Sequence, residues 1–446
     1  MANASSESGR PGGQPASSIT QVALASFIGT AIEWYDFFLY GTAAALVFNK
    51  LFFPSFDPLV GTLLAFLTYA VGFVARPLGG IVFGHYGDKI GRKTMLSLSL
   101  LIMGVATCLI GALPTYDSLG VGAAVLLVVL RLAQGFGLGG EWGGAVLMAV
   151  EHAPKNKRGF YGSWPQMGAP AGLLMANGVF FLISTKLPPE TFLAWGWRVP
   201  FLLSALLVVV GLFIRLRLAE SPAFAKVKEK GKEARMPILE VLVHHPKNVL
   251  LAMGARFAEN GFFYIFSVFV LTFATKQLEV TQATVLTGVL IASACHLVAI
   301  PLFGMLSDRL GRRPVYMLGA IFSGLFVFPF FWLLDTREPA MIWLAISLGM
   351  AIGHAAMYGP QASFFSELFG TRVRYSGASL GYQLASVFAG GLAPSIATQL
   401  LISSGGSPTP VAIYMIGMAV ITLISVFLAA ETFRQDIGAD QADHKE

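Results

Sequence analysis

Charge is scarce in this sequence: Asp, Glu, Lys and Arg make up 12% of its 446 residues, against 55% hydrophobic residues and a mean hydropathy of +0.69. Such a chain cannot dissolve as a globule, whatever number of soluble domains its length would allow. Cysteine is nearly absent too. Cys108 and Cys295 both fall inside apolar runs, so they frame neither a disulfide scaffold nor a metal site. No P-loop lysine motif occurs, so ATP hydrolysis is unsupported as a driving reaction. GFGLGG at 135–140 fits the glycine pattern of dinucleotide sites, but it lies in an apolar run with no strand before it and fails that context. No nucleophile, base and orienting residue cluster together, so the chain does not read as an enzyme, and it shows no cofactor or metal motif. The net charge of +6 does not mark a nucleic-acid binder, because the basic residues are scattered among short loops.

What the sequence has in quantity is long apolar runs. Measured against the ~20 residues a helix needs to cross a bilayer, they predict twelve spans. The first six lie near 19–48, 59–85, 94–113, 120–150, 160–184 and 198–218. The second six lie near 247–275, 281–306, 314–334, 340–368, 375–402 and 410–430. Odd-to-even connections hold five Lys/Arg, while the even-to-odd connections and tails hold twenty-two; the remaining three, Arg76, Arg131 and Arg256, lie within spans. Positive charge gathers on the cytoplasmic side, so both termini are expected there. Residues 1–18 lack the apolar core of a signal peptide and read as a disordered tail. The predicted organisation is a bundle of six helices over 19–218, a polar linker at 219–246 with short amphipathic helices, a second bundle over 247–432, and a tail at 433–446.

The two halves are related. GHYGDKIGRK at 84–93 returns as GMLSDRLGRR at 304–313, and GTAIEWYDFF in span 1 is echoed by GARFAENGFF in span 7. Such duplication predicts two pseudo-symmetric bundles with a substrate site at their interface, near the bilayer midplane.

With GTAIEWYDFFLYG (29–41), ARPLGG (75–80), GLGGEWGGA (137–145), WGWRVPF (195–201), ESPAF (220–224) and ELFGTRVRYSGASLGYQ (367–383), these motifs resemble the metabolite–proton symporter branch of the major facilitator superfamily. The likeness runs from about residue 19 to 432 and is nearest in style to shikimate and other organic-acid permeases. It implies an all-α integral membrane fold working by alternating access, a bacterial inner-membrane location and a functional monomer. It also implies that spans 1, 4, 7 and 10 line the cavity, and that Asp88, Arg92 and Lys93 latch the halves, with Asp308, Arg312 and Arg313 as a weaker counterpart.

Intramembrane charges cost roughly 2.5–3.5 kcal/mol each on insertion scales, so each needs a reason. Those near mid-depth fall on the four cavity spans: Glu33 and Asp36 on span 1, Arg131 on span 4, Arg256 and Glu259 on span 7, with His354 on span 10. Burial disfavours the charged form of a carboxylate, which lets it exchange a proton near neutral pH, while a neighbouring Arg holds either that carboxylate or a substrate anion. Glu33 and Asp36 are therefore the favoured proton-carrying pair, with Glu259 and His354 as further proton-coupling candidates, and Arg131 and Arg256 the anion holders. The competing reading for each is a buried pair that fixes helix packing. For Arg76 and Glu141, at similar depth, that structural pairing is the favoured one. His296 is a second shuttle candidate, more readily explained as a packing residue. Tyr35 and Tyr40, Gln166 and Asn177, Asn260, Tyr358 and Gln361, and Tyr382 and Gln383 complete a pocket fit for a hydroxylated carboxylate. The alternatives within transport are a betaine or proline symporter, against which the short tail without heptads argues, and a drug efflux antiporter.

Overall fold

In lipid every backbone N–H and C=O must be satisfied within the protein, and the apolar runs answer as helices. The computed structural model describes residues 19–90, 92–217, 237–369 and 374–433, some by backbone alone. The tail and most of the linker lie outside these, as do the side chains of Asp88, Arg92 and Lys93. We number the spans α1 (Ile19–Leu46), α2 (Pro58–Ile90), α3 (Arg92–Ala112), α4 (Val121–Leu138 and Trp142–His152), α5 (Lys155–Lys186) and α6 (Pro189–Gly196 and Arg198–Ile214). The second half continues with α7 (Pro246–Gln277), α8 (Gln282–Leu310), α9 (Arg312–Asp335), α10 (Pro339–Glu367), α11 (Ser376–Ser403) and α12 (Thr409–Leu428).

Among the described residues ten helices are long and apolar enough to cross a membrane. The pair forming α6, bent by 44°, makes an eleventh, and α3 holds the shorter apolar segment Ser97–Ala112. A linker helix, Pro237–His244, precedes α7. Many large apolar side chains, such as Leu325, Trp332 and Phe427, are exposed, as a lipid-facing surface requires.

Two departures from uniform helix matter. α4 breaks at Gly139–Glu141, within the glycine-rich stretch, where the sequence predicted one continuous span. Wide π-helical turns interrupt α7 at Ile265–Phe269, α10 at Gly349–His354 and α11 at Ser386–Gly391, a distortion that often accompanies functional sites. Close approach needs glycine where α2 meets α4: a Cβ at Gly135 or Gly139 would overlap the carbonyl oxygen of Gly72 or Arg76. Gly311, in the repeated loop, has φ 106°, and a Cβ there would meet Glu431 at 2.8 Å.

The halves touch at both membrane faces. On the face carrying the repeated loops, Asp308 at the end of α8 accepts from the backbone N–H groups of Gly159 (2.8 Å) and Phe160 (2.9 Å) at the start of α5. The Ser363 hydroxyl donates to the Arg158 carbonyl at 2.8 Å, and Gln383 Nε2 donates to Gly139 O at 3.0 Å. On the opposite face the Lys276 ammonium, ending α7, donates to Pro58 O at 3.0 Å and to the Thr62 hydroxyl. Between these closures, rings of Phe38 and Phe263 sit 5.4 Å apart across the midline.

Candidate functional site

A dense buried polar cluster lies in the second half and reaches the first. Arg256, on α7, donates from Nη1 to Glu259 Oε2 (3.0 Å) and to Gln361 Oε1 (2.9 Å), and from Nε to Ser386 (3.3 Å). One helical turn brings Arg256 and Glu259 onto the same face, so the ion pair follows from local spacing. Glu259 also accepts from Gln361 Nε2 at 2.8 Å, and its Oε1 lies 3.1 Å from His354 Nε2. His354 Nδ1 in turn lies 2.8 Å from His296 Nε2, on α8. Gln361 further donates to the Tyr316 hydroxyl at 2.9 Å.

The Arg256 guanidinium rests over the Tyr382 ring, 3.2 Å from its centroid, and Tyr382 stacks on Trp142 of α4 at 3.8 Å. Cation, ring and ring thus form one column spanning the two halves. Trp142 Nε1 donates to Gln166, whose Nε2 reaches the Tyr358 carbonyl at 3.3 Å and Gln361 at 3.5 Å. Beside the column lies a cavity of about 20 Å³, lined in part by Thr30, Arg76, Glu141, Trp142, Tyr382 and Gln383. That is room for about one water.

The first half holds a separate centre. Arg131 donates to Gln134 at 2.9 Å and weakly to Tyr69 O at 3.4 Å, and Gln134 donates to Thr107 at 2.7 Å. Its guanidinium is caged by the rings of Phe37, Tyr40 and Tyr69, at 4.1, 4.4 and 4.5 Å. Arg131 Nη2 has no hydrogen bond among the described residues. Asp36 turns toward α6, where Ser204 donates to its Oδ1 at 2.5 Å, and its Oδ2 likewise lacks a hydrogen bond. Glu33 is buried on the same helix.

The sequence-predicted residues therefore divide. Arg256, Glu259, His354, Gln361, Tyr358, Tyr382 and Gln166 come together. Tyr35 and Tyr40 are held inside the first half, by Pro200 O and Thr68, and Asn177 accepts from Thr42 there. Asn260 is buried on α7, its Nδ2 without a hydrogen bond among the described residues. Arg76 lies over Phe37 and Phe73, at 4.1 and 4.2 Å, and shares the small cavity with Glu141. Asp308 bonds Arg312 at 2.8 Å, and Arg312 bridges on to Glu367 at 3.1 and 3.2 Å. Arg313 bonds the Val426 and Phe427 carbonyls. Trp142, Ser204, Gln134, Glu367, Glu431 and Lys276 were not singled out by sequence reasoning. Trp142 and Glu367 stood inside quoted motifs; the others carried no local signal.

A family model described as Major Facilitator Superfamily matches residues 26–394. The chain is 43% identical over 418 residues to the shikimate transporter of Escherichia coli (strain K12), covering 93% of this chain and 95% of that one. It is 43% identical over 428 residues (95% and 97%) to an inner membrane metabolite transport protein of the same strain. A glycine betaine/proline/ectoine/pipecolic acid transporter of Dickeya dadantii (strain 3937) is 37% identical over 420 residues, covering 92% of this chain and 82% of that one. In structure the chain is similar to a D-xylose–proton symporter, with a TM-score of 0.72 at 20% identity over 94% of this chain and 99% of that one.

Proposed function

The chain belongs to the Major Facilitator Superfamily, and from that premise we propose that it is a secondary-active, proton-coupled importer of a small organic acid, shikimate or a similar carboxylate. The observation that carries this reading is Arg256: a buried cation where the halves meet, ion-paired to a carboxylate that a substrate anion can replace. With Glu259 ionised, Arg256 is held by its neighbour. A proton on Glu259 weakens that pair and frees the guanidinium for a substrate carboxylate, bidentately. Loss of the proton on the other side restores the pair and expels the anion. Proton and acid then move together because one cation serves two partners in turn. Asp36 and Arg131, both buried in the first half, each keep one atom, Oδ2 and Nη2, without a hydrogen bond among the described residues, which suits proton exchange and anion contact.

Alternating access has its mechanical counterpart in the contacts at Asp308 and at Lys276, which hold the halves together at opposite faces. We place both termini in the cytoplasm, the bundles at 19–218 and 247–432, and the working unit, a monomer, in the bacterial inner membrane.

A zwitterion such as betaine is the competing cargo. Its quaternary ammonium calls for an aromatic cage, and the cage of Phe37, Tyr40 and Tyr69 already encloses Arg131, which favours the acid. Uptake of a labelled panel (shikimate, 2-oxoglutarate, citrate, benzoates and betaine) into proteoliposomes, with and without an inward proton gradient, tests both. Gradient-driven uptake of one acid, lost in Asp36→Asn and Arg131→Ala, is expected. Uptake of betaine alone overturns the organic-acid reading, and indifference to the gradient overturns the coupling.

A further inference from the structure

The polar chain behind Glu259 has a direction. Two imidazoles bond to each other at 2.8 Å and, through His354 Nε2, to a carboxylate oxygen at 3.1 Å, all buried and on three different spans. His296 Nδ1, at the far end, has no hydrogen bond among the described residues. For two neutral imidazoles, hydrogen-bond chemistry then fixes the tautomers. An ionised Glu259 can only accept, so His354 carries its proton on Nε2 and leaves Nδ1 bare. That bare nitrogen must accept from His296 Nε2–H, which leaves His296 Nδ1 with an unshared lone pair. A chain of donors all pointing toward the carboxylate, ending in a free base, is the arrangement of a proton wire.

We infer that His296 is the entry point of a proton relay, His296–His354–Glu259, that loads the carboxylate paired with Arg256. The inference rests on the proton-coupled reading above. One proton binds His296 Nδ1; the Nε2 proton of His296 passes to His354 Nδ1; the Nε2 proton of His354 passes to Glu259 Oε1. One proton enters and one carboxylate is neutralised. Both imidazoles end neutral, with tautomers reversed, and no charge is left on the wire. The groups around it suit this traffic. α7 contributes Arg256 and Glu259, α9 Tyr316 through Gln361, α10 Tyr358 with its ring 4.9 Å from His354, and α11 Tyr382 beneath Arg256. α5 carries no ionisable side chain between Tyr161 and Lys186. The π-helical turn ending at His354 supplies the local irregularity that aims its ring between Glu259 and His296. The proton thus reaches Glu259 from the α8 side, apart from the Arg256 face that meets the anion.

The test needs no substrate. Full-length protein in lipid nanodiscs is given a pH drop, and the carboxylic-acid infrared band that disappears in Glu259→Gln is followed in time. His296→Leu removes the wire. His296→Gln keeps a donor to His354 Nδ1 but cannot pass a proton on. Both are expected to slow the band at least about tenfold, a positioned proton carrier typically being worth 10²–10⁴. Parental rates in both variants, rescue by Gln alone, or absence of a Glu259-dependent band in the parent would each overturn the relay. Should the variants fail to fold, ring-¹⁵N histidine spectra of the unsubstituted protein decide it. A bare Nδ1 on His296 while Glu259 is ionised is expected, and a protonated one overturns it. A parent that shows the band and the variant effects, yet accumulates no labelled shikimate, keeps the relay and loses the cargo assignment.

Discussion

Asp308, at the end of α8, places both carboxylate oxygens on backbone N–H groups that follow the Lys155–Lys157 turn and open the α-helical part of α5, Gly159 at 2.8 Å and Phe160 at 2.9 Å, so a carboxylate of one half caps a helix of the other. Asn at this position keeps one acceptor, loses the charge and turns an N–H₂ toward a backbone N–H. A charge-assisted bond is worth about 1.5–3 kcal/mol, so Asp308→Asn is expected to raise opening of this face about tenfold. Maleimide labelling of Ser363→Cys, buried at the same seam, checks this in a background with Cys108 and Cys295 replaced by Ala. Unchanged labelling would mean the cap does not hold the halves.

Lys276 makes the corresponding tie at the opposite face, to Pro58 O and Thr62. Lys276→Met keeps the stem and removes the donors. Spin labels at Ser55 and Ser403, both exposed, are expected to show a larger long-distance population in pulsed electron resonance.

Arg256 and Glu259 should separate two properties of transport. Glu259→Gln retains shape and a contact to Gln361 while removing the exchangeable proton; accumulation driven by a proton gradient is expected to vanish while counterflow persists. Arg256→Lys loses the planar fork that reaches Glu259, Gln361 and Ser386 and is expected to reduce both by about tenfold or more. Equal losses of both activities in Glu259→Gln would sink the division of labour.

Gly135 permits α4 to press backbone against α2 at Gly72. Overpacking costs about 1–3 kcal/mol, so Gly135→Val is expected to lower the melting temperature in detergent by roughly 5 °C or more. Gly144, with open space around it, serves as the control and should tolerate Ala.

The spans and the duplication were legible because apolar run length and the repeated charged loop are one-dimensional signals. So was the presence of Arg256, Glu259 and His354 near mid-depth, since charges within apolar runs stand out; that these three bond together, apart from Asp36 and Arg131, was not. The azimuth of each helix was not. Glu33 and Asp36 share a face by spacing, yet only the packed structure turns Asp36 toward Ser204, 168 positions away, and leaves Arg131 among rings. His296 looked like a lone packing histidine because its partner lies 58 residues on, beyond a π-helical turn whose rotation no 3.6-residue pattern reveals. Glu431 appears as an ordinary residue near the end of the chain, although it accepts from Arg312 N and Arg313 N at 3.0 Å each and so caps α9.

The column of Arg256, Tyr382 and Trp142 leaves beside it a space for one water rather than for a ring-sized acid. If Arg256 holds the cargo, as proposed, a ring-sized acid has to part Trp142 from Tyr382 to gain a seat, and the work of parting them is drawn from its own binding energy. Good and poor cargoes should then differ more in turnover than in apparent affinity. A molecule that clings tightly without parting the rings becomes an inhibitor, not a passenger.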